Sequence, residues 1–198
     1  MVWYGNRDTG PDITVLDDFE HQDIAGNYTG NTQDYSINTA SPIEGSASAQ
    51  SDSEFGSIFY DGTDTTTRGN EYRVETKIVG QMGLFVGAQS TTSVSSPGSY
   101  GAFADEANGN LFVRALDSGS ATTDSTAVTL SQGTVYQLGV RWDETGVTGN
   151  IEAFILDSSD TELASVAISD DTHTGGNFAV RDLSTSGDVF EYATERPL

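Results

Sequence analysis

The chain has 198 residues, with 30 Asp and Glu against 8 Lys and Arg, a formal net charge of −22, and no cysteine. That length fits one domain. The charge argues against nucleic acid and anionic lipid as partners, since both require basic residues, and the absence of cysteine excludes disulfides and thiolate metal sites.

Short alternating runs separated by Gly, Pro, Asn, Asp and Ser predict an all-β chain. Residues 1–12 form an N-terminal docking arm in this reading, with Trp3 and Tyr4 outside any alternation, and residues 13–198 form the folded domain. The arm has no apolar h-region, so no signal peptide is expected. No stretch approaches the roughly 18 apolar residues of a membrane span, so no membrane insertion is expected. Predicted strands then follow at 13–20, 35–39, 47–50, 55–60, 72–79, 82–89, 100–105, 111–117, 127–130, 135–142, 151–157, 163–168, 177–182 and 189–194. The Ser/Thr-rich segment 90–99 is expected to be a mobile loop. In 72–79, Tyr72, Val74 and Ile78 share one face, with Arg73, Glu75 and Lys77 on the other. In 135–142, Tyr136, Leu138, Val140 and Trp142 point one way, and Gln137 and Arg141 the other. This is the pattern of sheets with one buried face, and the strand spacing suits a two-sheet sandwich.

The order of these pieces resembles the concanavalin A-like lectin/glucanase jelly roll, in its laminin-G-like form found in haloarchaeal surface proteins and haloarchaeal tailed-virus proteins. The run Val15-Leu16-Asp17-Asp18-Phe19-Glu20 is similar to that family's first strand, and Glu44-Gly45-Ser46 to the turn of its next unit. VTLSQGTVYQLGVRW (128–142), NIEAFILDSSDTELASVAISDDT (150–172) and His173-Thr174-Gly175-Gly176 resemble later units. Residues 189–194 resemble the closing strand, with Glu191 where the family carries Asp. The resemblance implies two antiparallel sheets, with the closing strand beside the first, and a face or loop end suited to glycans.

Glycoside hydrolysis needs two carboxyls facing one bond, and glucanases of this fold carry them as Glu-x-Asp-x-Glu on one strand. No such run occurs. Glu71 with Glu75, and Asp157 with Asp160 and Glu162, are the nearest, and both read as solvated acids. His21 and His173 follow strands and read as surface loop residues. No nucleophile elbow, phosphate loop or His-Glu-x-x-His helix is present. No catalytic residue is therefore assigned, and no enzyme is expected.

Asp18, Glu20 and Glu191 are candidate ligands for a structural Ca²⁺ or Mg²⁺ if the first and last strands are neighbours; simple hydration of these acids is the alternative. No other cofactor is indicated. Tyr28, Tyr60 and Tyr100 lie near predicted loops and are candidate glycan-stacking rings, with strand-end packing as the alternative. Trp3 and Tyr4 are candidate interface residues.

Asp exceeds Glu, 19 to 11, and Lys77 is the single lysine, a surface expected to suit molar salt. With the resemblance, the expectation is a non-enzymatic virion structural protein of a haloarchaeal tailed virus, in a capsid decoration, vertex turret or tail fibre. It would be made in the host cytoplasm and displayed on the virion exterior. Its partners would be copies of itself, other virion proteins and a host surface glycan. The alternative is a carbohydrate-binding, lectin-like module of a haloarchaeal cell-surface protein. A glucan hydrolase stands third.

The charge makes a direct prediction. Self-repulsion is screened over about 3 Å at 1 M salt and over about 10 Å at 0.1 M. The melting temperature, followed by circular dichroism, is expected to rise between those KCl concentrations. An unchanged melting temperature overturns the reading of the acid excess as an adaptation to salt.

Overall fold

In the computed structural model, which describes residues 12–20, 23–43, 45–61, 66–143, 150–183 and 187–198, the period-2 alternation resolves into two layers. The strands in chain order are β1 (Thr14–Asp17), β2 (Tyr28–Gly30), β3 (Tyr35–Asn38), β4 (Ser48–Ser51), β5 (Ser57–Tyr60), β6 (Thr66–Thr67), β7 (Asn70–Lys77) and β8 (Gln81–Ala88). They continue as β9 (Gly98–Asp105), β10 (Asn110–Asp117), β11 (Ser120–Ala127), β12 (Val135–Trp142), β13 (Asn150–Asp157), β14 (Glu162–Ser169), β15 (Gly175–Asp182) and β16 (Val189–Pro197). One helical turn, α1 (Ile24–Asn27), precedes β2. The first sheet runs β14-β13-β12-β7-β16-β4-β3, with β1 also on β16; the second runs β11-β10-β9-β8-β15-β5-β2, with β6 on β15. Every pairing is antiparallel, so the chain is an all-β jelly-roll sandwich. Among the described residues no helix is long and apolar enough to cross a membrane.

The core lies where the alternation places it. Tyr72 and Val74 of β7, Ile78 just after it, and Tyr136, Leu138, Val140 and Trp142 of β12 meet Met82, Leu84 and Val86 of β8 and Tyr100, Ala102 and Ala104 of β9. β1 pairs with β16, as the resemblance implies. β16 contains a bulge: its register against β7 shifts between Glu191 and Thr194, and Tyr192 takes a φ of 50°. The extra residue lets Phe190 and Ala193, an odd number of positions apart, both face the core.

Several expectations need correction. The sequence places a strand at 127–130, but the strand is Ser120–Ala127, an exposed edge strand. Its polar side chains carry no alternation; full backbone pairing to β10 from Asn110 to Asp117 holds it. Val128 and Leu130 instead enter the core from the connection that follows. Segment 90–99 is anchored rather than free. Val94 is buried on the outer face of the second sheet beside Phe85 and Phe103, and the Ser99 hydroxyl donates to its carbonyl at 2.7 Å. The N-terminal arm, with Trp3 and Tyr4, lies outside the described residues up to position 11, as do His21, Glu44 and Asp64.

The outer face of the first sheet is closed by a charged cluster. Glu71 of β7 is buried rather than solvated, and its carboxylate accepts from Arg73, from Arg141 Nε at 2.9 Å and from Arg196 Nε at 2.7 Å. Burial alone would raise the Glu71 carboxyl, but the Arg73 and Arg196 guanidiniums hold it below its ordinary value. Arg141 also reaches Glu152 at 2.9 Å and Glu162 at 3.0 Å. Beneath them Phe154 lies under Arg141, 4.0 Å from guanidinium carbon to ring centroid, and under Arg73 at 5.5 Å. Gly139 faces Phe154 across the β12–β13 pair, and a Cβ there would stand 2.2 Å from Phe154 Cζ. The substitution Glu71→Gln leaves three guanidiniums without their central anion. It is expected to cost about 3 kcal/mol of unfolding free energy in urea titrations. A loss under about 0.5 kcal/mol, the range of an ordinary surface change, refutes the structural role.

Candidate functional site

The structure separates the predicted site residues. Asp18 is exposed, with Oδ1 accepting from the Glu20 amide at 3.1 Å. The Glu20 carboxylate is taken by Ser46, through its amide at 2.9 Å and through its hydroxyl. Glu191 is buried and accepts from the Ser48 hydroxyl at 2.6 Å. Strand pairing does bring β1 and β16 together, but each acid is engaged by a different protein donor. Among the described residues no group of three acids or histidines converges on a metal position. The expected triad is not assembled.

The three tyrosines are packing residues. Tyr28 is 2% exposed and stacked on Phe19 at 5.4 Å, and burial together with the Asp17 carboxylate pushes its phenol well above the ordinary value. Tyr60 is half-buried, edge-on to Tyr28 at 5.7 Å. Tyr100 is fully buried, edge-on to Trp142 at 5.2 Å. The Tyr100 hydroxyl donates to Asp170 at 2.7 Å and accepts from the His173 amide at 2.9 Å. Tyr28 and Tyr100 therefore offer no exposed face to a sugar. His173 is also buried, not a surface residue: its Nε2 lies 3.0 Å from the Leu116 carbonyl oxygen. Arg68 donates to the His173 and Asp171 carbonyls at 2.9 and 2.7 Å, so this end of the sandwich is a structural knot. A groove of about 500 Å³ beside the β9–β10 turn is lined by Glu106, Asn108, Val128, Leu130 and Leu163 and gathers no cluster of charged groups.

The outer face of the second sheet is different. The antiparallel register sets two neighbouring rows across it. One holds Phe112, Phe103, Gly83 and Arg181; the other holds Arg114, Gly101, Phe85 and Ala179. The rings of Phe85 and Phe103 fill the space above the two glycines: a Cβ on Gly83 or Gly101 would approach them to 2.9 Å. The rings meet edge to face at 4.9 Å, and Phe59, Val94 and Ala179 join the same cluster. Arg114 lies over this floor, its guanidinium carbon 4.7 Å from the Phe103 centroid and 5.8 Å from that of Phe112.

Among the described residues the Arg114 and Arg181 guanidiniums make no hydrogen bond or ion pair, and the Nε–H of each is buried without an acceptor. Burial pushes the Arg181 guanidinium below its ordinary value; the Tyr35 phenol opposes this, and the like charge of Arg114 adds to it. A chain with 30 acids therefore leaves two neighbouring cations unneutralised on an aromatic floor. Sequence reading missed this pair. The alternation puts Phe103 and Arg114 on outward positions, but only the strand order β10-β9-β8-β15 brings Arg181 to them.

No protein-family model matches the chain, and no curated protein matches it by sequence. Solved structures share its fold. A protein of unknown function with a galectin-like fold from Bacillus subtilis superposes with a TM-score of 0.63 at 10% identity, over 93% of this chain and 94% of that one. The carbohydrate-binding module CBM66 from the same organism gives 0.60 at 15% identity, over 82% and 95%. The exoplasmic/lumenal domain of VIP36, in its Ca²⁺- and mannose-bound form, gives 0.58 at 13% identity, over 83% of each chain.

A binding arginine and a structural arginine respond differently to loss of charge. Arg181→Met keeps most of the apolar stem and removes a cation with an unsatisfied buried donor, so the melting temperature is expected to hold or rise. Arg141→Met, in the Glu71 cluster, is expected to lower it by several degrees. Equal losses in the two variants overturn the distinction.

Proposed function

We propose that this chain is a non-catalytic carbohydrate-binding module that uses the outer face of its second sheet. The observation that carries the reading is the asymmetry between the faces. On the first sheet Arg73, Arg141 and Arg196 are consumed by Glu71 and its neighbours. On the second, no described residue bonds the Arg114 or Arg181 guanidinium; the Nε–H groups are buried, and the terminal nitrogens remain to reach a ligand. Sugar hydroxyls, ring oxygens and carboxylates are acceptors that such donors recognise. The fold likeness to a carbohydrate-binding module and to a mannose-bound lumenal domain supports the same reading.

The non-catalytic part of the reading rests on the carboxylates. Glu71 is neutralised by three arginines, and Asp157 caps its own turn by accepting from the Ser159 and Thr161 amides at 2.8 and 3.0 Å. The virion reading rested on the family resemblance, the acid excess and an N-terminal arm that lies largely outside the described residues; the structural neighbours support the binding module better.

The test uses the full chain on an oligosaccharide array, followed by calorimetry on the hits. Saturable binding is expected, without release of reducing ends. The double substitution Arg114→Gln, Arg181→Gln is expected to weaken it by about tenfold or more while leaving the circular dichroism spectrum unchanged. Absence of binding to any saccharide overturns the module reading, and release of reducing sugar overturns its non-catalytic part.

A further inference from the structure

The paired guanidiniums also indicate what kind of saccharide belongs on this face. Resting on the carbohydrate-binding reading above, we infer that the ligand is acidic: a uronic-acid oligosaccharide whose carboxylates are taken by Arg114 and Arg181.

The argument starts from what the site lacks. Neutral saccharides are commonly held by balanced sets of donors and acceptors, because each hydroxyl both gives and takes a hydrogen bond. The two rows around Phe85 and Phe103 supply phenyl rings, glycines, Ala179 and two guanidiniums. Both charges in these rows are positive, and the neutral polar groups that extend them, Thr123 and Ser125 on β11 and Ser57 on β5, are hydroxyls at the margins. Guanidinium has no acceptor capacity, and its planar fork matches a carboxylate in two-point contact. The register offers two such forks, on β10 and β15, with β9 and β8 between them. Neighbouring strands are about 4.8 Å apart and the two arginines lie in adjacent rows, so their backbones stand about 16 Å apart, with the Phe85 and Phe103 rings between them. That span suits a short run of sugar units better than a lone acid.

The aromatic floor favours the same ligand. Stacking on Phe103 fixes the plane of the Arg114 guanidinium before any ligand arrives, so little rotamer freedom is left to lose on binding. The apolar surroundings lower the local dielectric and strengthen a charge-assisted contact. Among the described residues no acidic side chain occupies either fork, although acids outnumber cations 30 to 8 in the sequence. The remaining acids do oppose an anionic ligand, but at physiological ionic strength their field decays over about 8 Å.

The experiment measures calorimetric affinity of the full chain, in buffer of physiological salt, for trigalacturonic acid and a hyaluronan tetrasaccharide. Their methyl-ester forms are the controls, with the same sugars and no charge. The expected result is binding of at least one acid form, with the corresponding ester weaker by about tenfold or more. Arg114→Gln and Arg181→Gln are each expected to weaken the acid form by about tenfold. Arg114→Lys and Arg181→Lys, which keep charge but lose the fork, should fall between. Should a glutamine variant unfold, the ester comparison on the unaltered chain still decides.

Equal affinity for acid and ester overturns the inference. So does full affinity for the acid in both glutamine variants, and so does failure of both acid forms to bind. If neutral saccharides from the array bind in those cases, the module reading stands and only the acidic ligand falls. If no saccharide binds at all, both fall together.

Discussion

Scarcity of positive charge is the constraint on which the rest of this structure depends. With 8 Lys and Arg in 198 residues, each cation has many possible partners, and its placement is informative. The heaviest use is the clasp around Glu71, which ties β7, β12 and β16 through Arg73, Arg141 and Arg196. These are adjacent strands in the middle of the first sheet, drawn from distant parts of the sequence. The clasp also carries Glu152 and Glu162 of β13 and β14 through Arg141. Burying one carboxylate is costly in isolation, by several kcal/mol. Three guanidiniums, an aromatic floor at Phe154 and short contacts reverse that cost, and they lock the face against exchange with outside partners.

Arg68 and Lys77 are likewise engaged, with the carbonyls of Asp171 and His173 and of Ser41 and Pro42. Against that pattern the second sheet stands out. An unsatisfied buried donor costs about 1–3 kcal/mol, and two neighbouring arginines each carry one. Stability alone would favour a neutral side chain or an acid nearby. The buried Nε–H groups are closed to a ligand, so any contact with one falls to the terminal guanidinium nitrogens, which no described residue engages.

Much of the architecture was legible from alternation. The inward sets of β7 and β12 and the two-sheet sandwich follow from period 2 and strand spacing, and the pairing of first and last strands is what the family resemblance implied. What the pattern cannot carry is partner identity. Glu71 read as one more solvated acid, because a single strand does not reveal that Arg141 and Arg196 will flank it. Tyr28 and Tyr100 read as loop-end aromatics, because their burial depends on Phe19, Trp142 and His173 arriving from elsewhere. β11 was misplaced for the opposite reason: its order comes from backbone pairing with β10, which leaves no mark on side-chain polarity. Arg114 and Arg181 sit on strands that are remote in sequence and close only through the β9–β8–β15 crossover.

The net charge of −22 weighs against an anionic ligand, and magnitudes decide the contest. A unit charge 20 Å away contributes about 0.2 kcal/mol in unscreened water, so some twenty excess acids sum to about 4 kcal/mol of repulsion. With a Debye length of about 8 Å the same sum falls to a few tenths of a kcal/mol. A charge-assisted hydrogen bond in a partly desolvated site contributes about 1.5–3 kcal/mol. Two guanidiniums therefore outweigh the distant acids at moderate salt and lose much of that advantage in dilute buffer. Added salt therefore acts on the site in two directions: it screens the acid excess that opposes an anionic ligand, and at molar concentration, where the Debye length falls to about 3 Å, it weakens the guanidinium contact as well.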